Sequence, residues 1–423
     1  MRARLTVSDF SCIKFADIEV DGLTVLIGPS ASGKSIISKL IFFFNDLLND
    51  QWQVLEDGRG YDAFKSFVKD KFKEWFPVEA WGDAKFQIDY AFGDFQVKIS
   101  RVEYRKKLGD NMRILFSPFF EQQYSEALAA FKEVLQGVDE DEGDYFPMRR
   151  AYEVQTRHRK VIKKKLGDAY FDVQTFIPAG RSFFTSLGKS IAAFEHGRVL
   201  DPLIVRFGRF YAAAREDRFY SPFKVKGVFE SEFDALMSGS VVFERNKEYL
   251  KSSDGRRIPF SVMSSGQQEL MPLSLVVKRR AVGLDNSSIR QILFIEEPEA
   301  HLFPSAQSSL VEIFSKFLSR SKGRASMLVT THSPYVLAKI NNLIKARDVA
   351  GKKGSKKQAL VQKIIPDECW LDGAGVRAYA IRDGIVGKIQ DPVDGMIEAE
   401  YLDDVSGHIH DEFSRLLEVE YLS

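Results

Sequence analysis

Apolar and polar positions along the first 44 residues predict strands followed by a helix. Strands are predicted over 5–7, 13–20 and 23–27. Asp21-Gly22 is the two-residue turn between the last two. The run 23–27 is almost wholly apolar and leads through a glycine-containing segment into a second apolar run, 36–44. This order is typical of a buried strand, a turn and the start of a helix.

Two later apolar runs each end in polar side chains. The run 289–295 leads into Glu296 and Glu297, and the run 325–331 leads into His332. A helical pattern follows each run. Because the strand-then-helix order repeats, we predict a mostly parallel sheet with functional groups at the carboxyl ends of its strands.

The remaining patterns predict both helices and strands. Helices are predicted at 118–166 (a pair joined by the acidic loop 139–144), 200–217, 265–281, 304–320, 335–346 and the tail 405–422. Strands are predicted at 84–91 and 95–104 (a hairpin), 171–177, within 240–262, and at 359–365, 376–382 and 385–389. The segment 347–357 is rich in lysine and glycine and predicts an exposed loop.

The segment after the first buried strand has the spacing Gly-x4-Gly-Lys-Ser of a phosphate-binding loop. Glycines let the backbone approach closely, so that successive N–H groups face one anion at a helix N-terminus. Lys34 would supply positive charge to the β- and γ-phosphates of ATP, and the Ser35 hydroxyl would face Mg²⁺. The phosphate loop comprises Gly28, Pro29, Ser30, Ala31, Ser32, Gly33, Lys34 and Ser35.

Composition limits the class of protein. The 423 residues are 44% hydrophobic and 28% charged, as in ordinary globular proteins. The net charge of +1 means that any nucleic-acid site has to be local. No apolar run reaches membrane-spanning length. The only cysteines, Cys12 and Cys369, cannot form a disulfide framework, and we expect a cytoplasmic protein that does not enter a membrane.

The polar strand ends complete a site for ATP hydrolysis. Phosphoryl transfer needs positioned phosphates, a metal ion and an oriented water. Glu296 is predicted to join Ser35 as a Mg²⁺ ligand, and Glu297 to polarise the attacking water. His332 is predicted to sense the γ-phosphate and hold that water. Each residue alone has an ordinary structural explanation, but their order along the chain favours one site.

A second anion site is predicted at the start of the helix 265–281. The capping block 264–267 places serine and glycine at a helix N-terminus. Its residues are Ser264, Ser265, Gly266 and Gln267. Each chain then carries two half-sites, one that holds ATP and one that covers it. Two copies are needed to place both on one nucleotide, which implies a homodimer with ATP at its interface.

These motifs resemble the ABC-type ATPase heads of the SMC and Rad50 group. The form Ile-Glu-Glu-Pro-Glu-Ala-His at 295–301 is similar to the branch that contains the OLD-family ATPases and the ATPase subunits of anti-phage systems, and the tail is similar to that of the PARIS defence ATPase. The resemblance implies an α/β fold: an ABC-type P-loop ATPase head with a mostly parallel sheet, an antiparallel β subdomain and an inserted helical subdomain. It also implies that larger rings are an alternative to the dimer.

The resemblance also implies a division of the chain and a role. We expect the ATPase core at 1–110 and 221–346, a helical insertion at 111–220 and a C-terminal β/helix segment at 347–423. No acidic nuclease domain follows the ATPase, so a defence ATPase of this kind would act as a switch that senses a phage-derived trigger and holds or releases a separate effector nuclease. The alternative is an ATPase that acts directly on DNA in repair or chromosome maintenance.

Three features depart from the family pattern or stay open. Glu296 stands where the family usually has aspartate. The glutamine that normally joins the metal shell is not identified; the candidates are Gln122, Gln123 and Gln174. Arg181 follows a strand and could reach phosphate or lie on a surface turn. The basic segment 157–165, with six lysines and arginines, is either a solvated helix face or a patch that binds a partner or nucleic acid.

Overall fold

The structure, a computed structural model, describes residues 2–105, 107–136, 145–167, 170–187, 200–220, 227–244, 247–284, 288–351 and 354–398. The predicted acidic loop 139–144 and the predicted tail helix 405–422 lie outside the described residues. None of the helices in the described ranges is long and apolar enough to cross a membrane.

Fourteen strands are described. They are β1 (Ala3–Phe10), β2 (Ile13–Val20), β3 (Leu23–Ile27), β4 (Gln87–Phe92), β5 (Phe95–Tyr104), β6 (Lys107–Phe116), β7 (Val173–Ile177), β8 (Gly239–Glu244), β9 (Lys247–Ser252), β10 (Arg257–Pro259), β11 (Gln291–Glu296), β12 (Ala325–Thr331), β13 (Val376–Arg382) and β14 (Ile385–Lys388).

Eleven α-helices are described in the same ranges. They are α1 (Lys34–Glu56), α2 (Tyr61–Trp75), α3 (Pro118–Gln136), α4 (Tyr145–Leu166), α5 (Phe183–Leu187), α6 (Pro202–Tyr220), α7 (Glu230–Met237), α8 (Ser265–Val282), α9 (Pro304–Ser321), α10 (Pro334–Ala350) and α11 (Lys356–Gln362).

One sheet of eleven strands organises the molecule, in the order β6-β5-β4-β1-β2-β14-β13-β3-β12-β11-β7. The strands from β13 to β7 are all parallel. Strands β1, β2, β4, β5 and β6 form an antiparallel half of the same sheet. A second, antiparallel sheet contains β10, β9 and β8. The predicted α/β fold with parallel and antiparallel parts and inserted helices is confirmed.

Two hydrophobic cores lie on the two faces of the sheet. Alternate side chains of a strand point to opposite faces. Accordingly, Leu26 belongs to one core, whereas Val25 and Ile27 belong to the other. Helix α1 covers the first face and is itself covered by α2 and α3, so that most of its side chains are buried; Phe42 and Phe43 are both fully buried. The long α1 therefore fixes the phosphate loop at its start to the centre of the sheet.

The structure corrects two local predictions. The predicted strand 359–365 is wrong, because 356–362 is the helix α11. The predicted loop 347–357 is wrong at both ends, since α10 continues through Ala350 and α11 begins at Lys356. The proposed division of the chain stays a prediction; strand β6 runs across its boundary at 110, as one edge of the large sheet.

Candidate active site

The phosphate loop joins the end of β3 to the start of α1. Neither of its two glycines has room for a side chain. Gly33 has φ +105°, which L side chains rarely adopt. A Cβ atom there would lie 2.3 Å from the Ile13 Cδ1 atom. A Cβ atom on Gly28 would lie 2.8 Å from the carbonyl oxygen of Ile381. The loop is thus closely covered by the start of β2 and the end of β13.

The Lys34 side chain reaches back across the phosphate loop to its first residues. The side chain is buried, and Nζ donates hydrogen bonds to the carbonyl oxygens of Gly28 at 2.9 Å and Pro29 at 2.8 Å. Burial lowers the pKa of Lys34, whereas Glu297 and two neighbouring carboxylates act in the opposite direction. The ammonium group is therefore held among carboxylates at the mouth of the loop.

Glu296 and Ser35 lie together at the carboxyl ends of the parallel strands. Glu296 is the last residue of β11, and the Ser35 side chain lies close enough to it to lower the pKa of Glu296 against the larger effect of burial. The Ala179 amide donates to Glu296 Oε2 at 3.3 Å. Burial raises the pKa of Glu296. A hydroxyl and a carboxylate side by side are the oxygen ligands that suit Mg²⁺, so these residues fit the predicted metal.

Glu297 and His332 are in direct contact. Glu297 Oε1 lies 3.0 Å from His332 Nε2, and both side chains are partly exposed. His332 Nδ1 lies 3.5 Å from Lys34 Nζ. The Glu297 amide donates to the Thr330 carbonyl oxygen at 2.9 Å, which ties the turn after β11 to β12. The structure therefore brings the phosphate loop, Glu296, Glu297 and His332 together; their roles toward ATP stay predictions.

Glu299 supports His332, a role that the sequence analysis missed. Its Oε1 atom accepts hydrogen bonds from the Thr331 hydroxyl and the His332 amide, both at 2.7 Å. The side chain is buried. Glu299 thus holds the backbone from which His332 projects. The sequence shows only a third carboxylate close behind Glu297, and nothing in the spacing assigns it to His332.

Arg181 supports the carboxylate turn, 296–298, and both explanations of it given above are wrong. Its side chain is completely buried, so it is not on a surface turn. Its donors are bonded to backbone carbonyl oxygens, which leaves none for phosphate. These acceptors are the carbonyls of Glu269 (3.1 Å), Pro178 (3.2 Å), Glu296 (2.8 Å), Glu297 (3.3 Å) and Pro298 (3.4 Å).

The capping block forms the N-terminus of α8. The Ser264 hydroxyl accepts from the Gln267 amide at 3.4 Å, and Gln267 Oε1 accepts from the Ser264 amide at 3.1 Å. This reciprocal pair is a capping box. A Cβ atom on Gly266 would lie 2.9 Å from the His301 carbonyl oxygen. The Ser265 side chain stays exposed, and within the described ranges no hydrogen bond joins the block to the phosphate loop.

None of the three candidate glutamines lies at the metal site. Gln174 Nε2 donates to the Phe42 carbonyl oxygen at 3.1 Å and to Asp46 Oδ1 at 3.0 Å. Gln174 pairs with Ile292, four residues before Glu296 and hence about 13 Å away along the strand. Gln122 and Gln123 are on α3 and bond to Glu126 of the same helix. All three assignments are therefore wrong.

Two lysines of the basic segment on α4 contact neighbouring parts of the chain. Lys163 Nζ contacts Asp172 Oδ2 at 2.7 Å and the Ser288 carbonyl oxygen at 3.2 Å. Lys165 Nζ stands 5.4 Å from the centroid of the Phe119 ring. Lys165 is nevertheless exposed, as are Arg157, Lys160 and Lys164. At spacings of three and four residues, Arg157, Lys160 and Lys164 share one helix face.

A family model matches residues 23–338, more than half of the chain. The family is described as AAA domain, putative AbiEii toxin, Type IV TA system. The matched region contains the phosphate loop, the capping block, the carboxylate turn and His332. No curated protein matches the chain.

Similar solved structures are head domains of SMC proteins. The SMC head bound to the C-winged helix domain of ScpA is 14% identical with a TM-score of 0.41, over 92% of this chain and 96% of that chain. The SMC head domain from Thermotoga maritima is 12% identical with a TM-score of 0.37, over 93% and 100%. The Pyrococcus furiosus Smc head with an extended coiled coil, bound to the C-terminal domain of ScpA, is 13% identical with a TM-score of 0.38, over 97% and 99%.

Proposed function

The chain belongs to the AAA domain family of the putative AbiEii toxin type, and from this premise we propose that it binds and hydrolyses ATP as the switch subunit of an anti-phage defence system. The observation that carries the ATPase proposal is the contact of Glu297 Oε1 with His332 Nε2, 3.0 Å long, beside the phosphate loop. This contact places a candidate base, Glu297, and a candidate γ-phosphate sensor, His332, next to the phosphate loop at the carboxyl ends of the parallel strands.

Each step of hydrolysis has a candidate group in this chain. The loop amides and Lys34 bind the phosphates of ATP. Glu297 accepts the proton of the attacking water, because it is partly exposed and contacts His332, which lies 3.5 Å from Lys34 of the loop. His332 orients Glu297 through Nε2, while Glu299 fixes the His332 backbone. Ser35 and Glu296 would hold Mg²⁺, which neutralises developing phosphate charge when bound.

The capping block supports an ATP-dependent homodimer. Its Ser264 and Gln267 side chains bond to each other's backbone, so the free groups at this N-terminus are the exposed Ser265 and the first amides of α8. An anion is favoured there. A second copy could offer it the γ-phosphate, and closing and opening of such a dimer would provide the two states of a switch. A larger ring built from these dimers is the alternative assembly.

The family description supports a role in defence, since it names a toxin of a type IV TA system. We propose that the dimer holds a separate effector nuclease and releases it when a phage-derived trigger changes its nucleotide state. Co-expression with the products of the flanking genes tests this part. Capture of a nuclease in one nucleotide state supports it, whereas binding of DNA alone by the purified chain supports the alternative function in DNA repair or maintenance.

Glu297→Gln tests the ATPase proposal directly. The amide keeps the size of the side chain but cannot act as a base, so we expect turnover to fall about 10²–10⁴-fold while ATP still binds. Glu79→Gln, an exposed change in the turn after α2, is the matched control and should keep full turnover. Turnover by Glu297→Gln equal to that of the control would contradict the assignment, and no turnover by the unmodified chain would contradict the proposed function.

A further inference from the structure

Arg181 connects two parts of the candidate site that serve different nucleotides in the proposed dimer. Its Nη1 and Nη2 atoms bond to the carbonyls of the carboxylate turn, and its Nε atom bonds to the Glu269 carbonyl of α8. Glu269 is one helical turn beyond Ser265. The carboxylate turn serves the ATP held by this chain, and the capping block at the start of α8 would cover the ATP held by a second copy.

The buried Arg181 guanidinium that makes this connection is paired with the carboxylate of Glu269. Arg181 Nε lies 3.4 Å from Glu269 Oε2, and both side chains are almost completely buried. Glu269 Oε1 also accepts from the Ser182 amide at 3.4 Å. Burial lowers the pKa of Arg181, and Glu269 is the first of the carboxylates that oppose this. A buried guanidinium without these partners would be strongly unfavourable, so the two residues keep each other in place.

The shape of the side chain makes the connection stiff. A guanidinium is planar and presents its five N–H donors in fixed directions, unlike the ammonium group of lysine. Here these donors reach five carbonyls on three segments: the end of β7, α8 and the carboxylate turn. A displacement of the first turn of α8 therefore has to move the guanidinium, the carbonyl of Glu297, or both.

The backbone conformation of Glu297 is suited to respond to a displacement of α8. Its φ angle is +42°, a left-handed value that is unfavourable for a non-glycine residue and persists only where neighbouring groups hold it. Its amide donates to the carbonyl and hydroxyl oxygens of Thr330, and its carbonyl accepts from the Ala300 amide at 3.1 Å and from Arg181 at 3.3 Å. The Ala300 bond lies within the turn itself, so the Arg181 bond is the one that links the Glu297 carbonyl to α8, and its displacement would change where the Glu297 carboxylate points.

We propose that Arg181 is a positioning residue that couples the capping block to Glu297, so that a nucleotide covered by this chain's capping block sets the catalytic carboxylate of this chain's own site. The two ATP sites of the dimer then communicate through α8 and Arg181 within each chain. This inference rests on the proposed ATPase function.

The first test compares Arg181→Lys with Arg101→Lys. Arg101 is also a buried arginine that donates to backbone carbonyls, those of Gly82, Ala84 and Gly109, but it lies in β5. We expect both changes to lower Tm. Only Arg181→Lys should lower kcat, by at least tenfold, with the Kd for ATP within about twofold of the unmodified value. An unchanged kcat, or equal losses of kcat in both variants, would overturn the proposal.

A mixed dimer separates coupling from local support. The first protomer is otherwise unmodified, and its partner carries either Glu297→Gln or Lys34→Ala. The Glu297→Gln partner holds ATP against the first protomer's capping block, whereas the Lys34→Ala partner leaves that block uncovered, and in both dimers turnover comes from the first protomer's site. We expect at least threefold more turnover with the Glu297→Gln partner, and no difference between the partners once the first protomer carries Arg181→Lys. Equal turnover with both partners before that change would refute the coupling, since Arg181 would then be only a local support of Glu297.

The same assays separate failure of this inference from failure of the proposed function. Turnover by the unmodified chain that is matched by Arg181→Lys contradicts the coupling and leaves the ATPase proposal intact. No turnover by the unmodified chain contradicts the ATPase proposal and the coupling together. Glu269→Gln gives a further check, because it removes the charge but keeps the side-chain acceptor and the backbone carbonyl. It should reduce kcat less than Arg181→Lys does.

Discussion

Gly33→Ala is predicted to destabilise the protein through a steric clash and an unfavourable backbone conformation. The new Cβ atom would lie 2.3 Å from Ile13 Cδ1, and φ at this position is +105°. The backbone conformation costs a residue with a side chain about 1–2 kcal/mol. Overpacking in a filled site adds about 1–3 kcal/mol. The sum, about 2–5 kcal/mol, is a large part of the stability of a typical domain.

The size of the steric part can be isolated with Ile13→Val, which removes the clashing Cδ1 atom. The nearest remaining atoms to the new Cβ would be Cys12 Sγ at 3.0 Å and Ile13 Cγ1 at 3.2 Å, so relief is incomplete. Ile13→Val alone should cost about 0.5–1.5 kcal/mol. In the double variant we expect a coupling of about 1–2 kcal/mol in favour of stability, within the range found for residues in contact.

Urea unfolding of the four proteins in this cycle measures that coupling. Gly387→Ala is the matched control, because a Cβ atom there meets nothing within 4 Å and its φ is not in the left-handed region. This control should be neutral or slightly stabilising. Unfolding of Gly33→Ala at the same urea concentration as the control would refute the predicted clash, as would a double variant in which Ile13→Val adds its full cost to that of Gly33→Ala.

Three further predictions concern charge. Lys34→Ala should weaken ATP binding by about 1.5–3 kcal/mol in calorimetry, because a charge-assisted bond to phosphate is lost; unchanged affinity would contradict its role. Burial raises the pKa of Glu296, so its contribution to stability is present below its unfolded pKa and is lost as pH rises through the folded pKa. Glu296→Gln should therefore be more stable than the unmodified chain at pH 7 but not at pH 4, while losing Mg²⁺-dependent turnover; equal stability at pH 7 would contradict this. Lys160→Glu combined with Lys164→Glu should leave ATP turnover unchanged, since both side chains are exposed on α4. DNA binding with a salt slope near −0.9 per contact, lost in that double variant, would instead favour the DNA-acting alternative.

The parts of the site that the sequence predicts are those that depend on neighbouring residues. Glycine spacing specifies the turn before α1, and a buried run followed by carboxylates specifies a strand end. The serine and glutamine of the capping block are three residues apart, and they form the capping box in the structure. Such local signals could be read because their physical cause lies within one turn or one strand.

Contacts between distant segments could not be predicted in this way. Arg181 bonds to residues 88 to 117 positions away, and Glu299 bonds to residues more than 30 positions away. A local signal was also missed at Ser355, whose hydroxyl accepts from the Gln358 amide at 3.1 Å and begins α11. The surrounding lysines and glycines suggested a loop, and the short apolar pattern after them suggested a strand, although Ile364 is 80% exposed.

The number of donors still available distinguishes residues that bind a ligand from residues that support the site. Arg181 and Lys34 are both buried cations among carboxylates. Arg181 gives its donors to backbone carbonyls, so a phosphate could be bound only at the cost of existing bonds. Lys34 has three N–H groups and gives two of them to Gly28 and Pro29, which leaves the third beside His332. The glycine spacing predicts phosphate binding for Lys34, and the count of donors agrees with that prediction. For Arg181 the sequence left two alternatives, and only the count of donors identifies it as a support of the carboxylate turn.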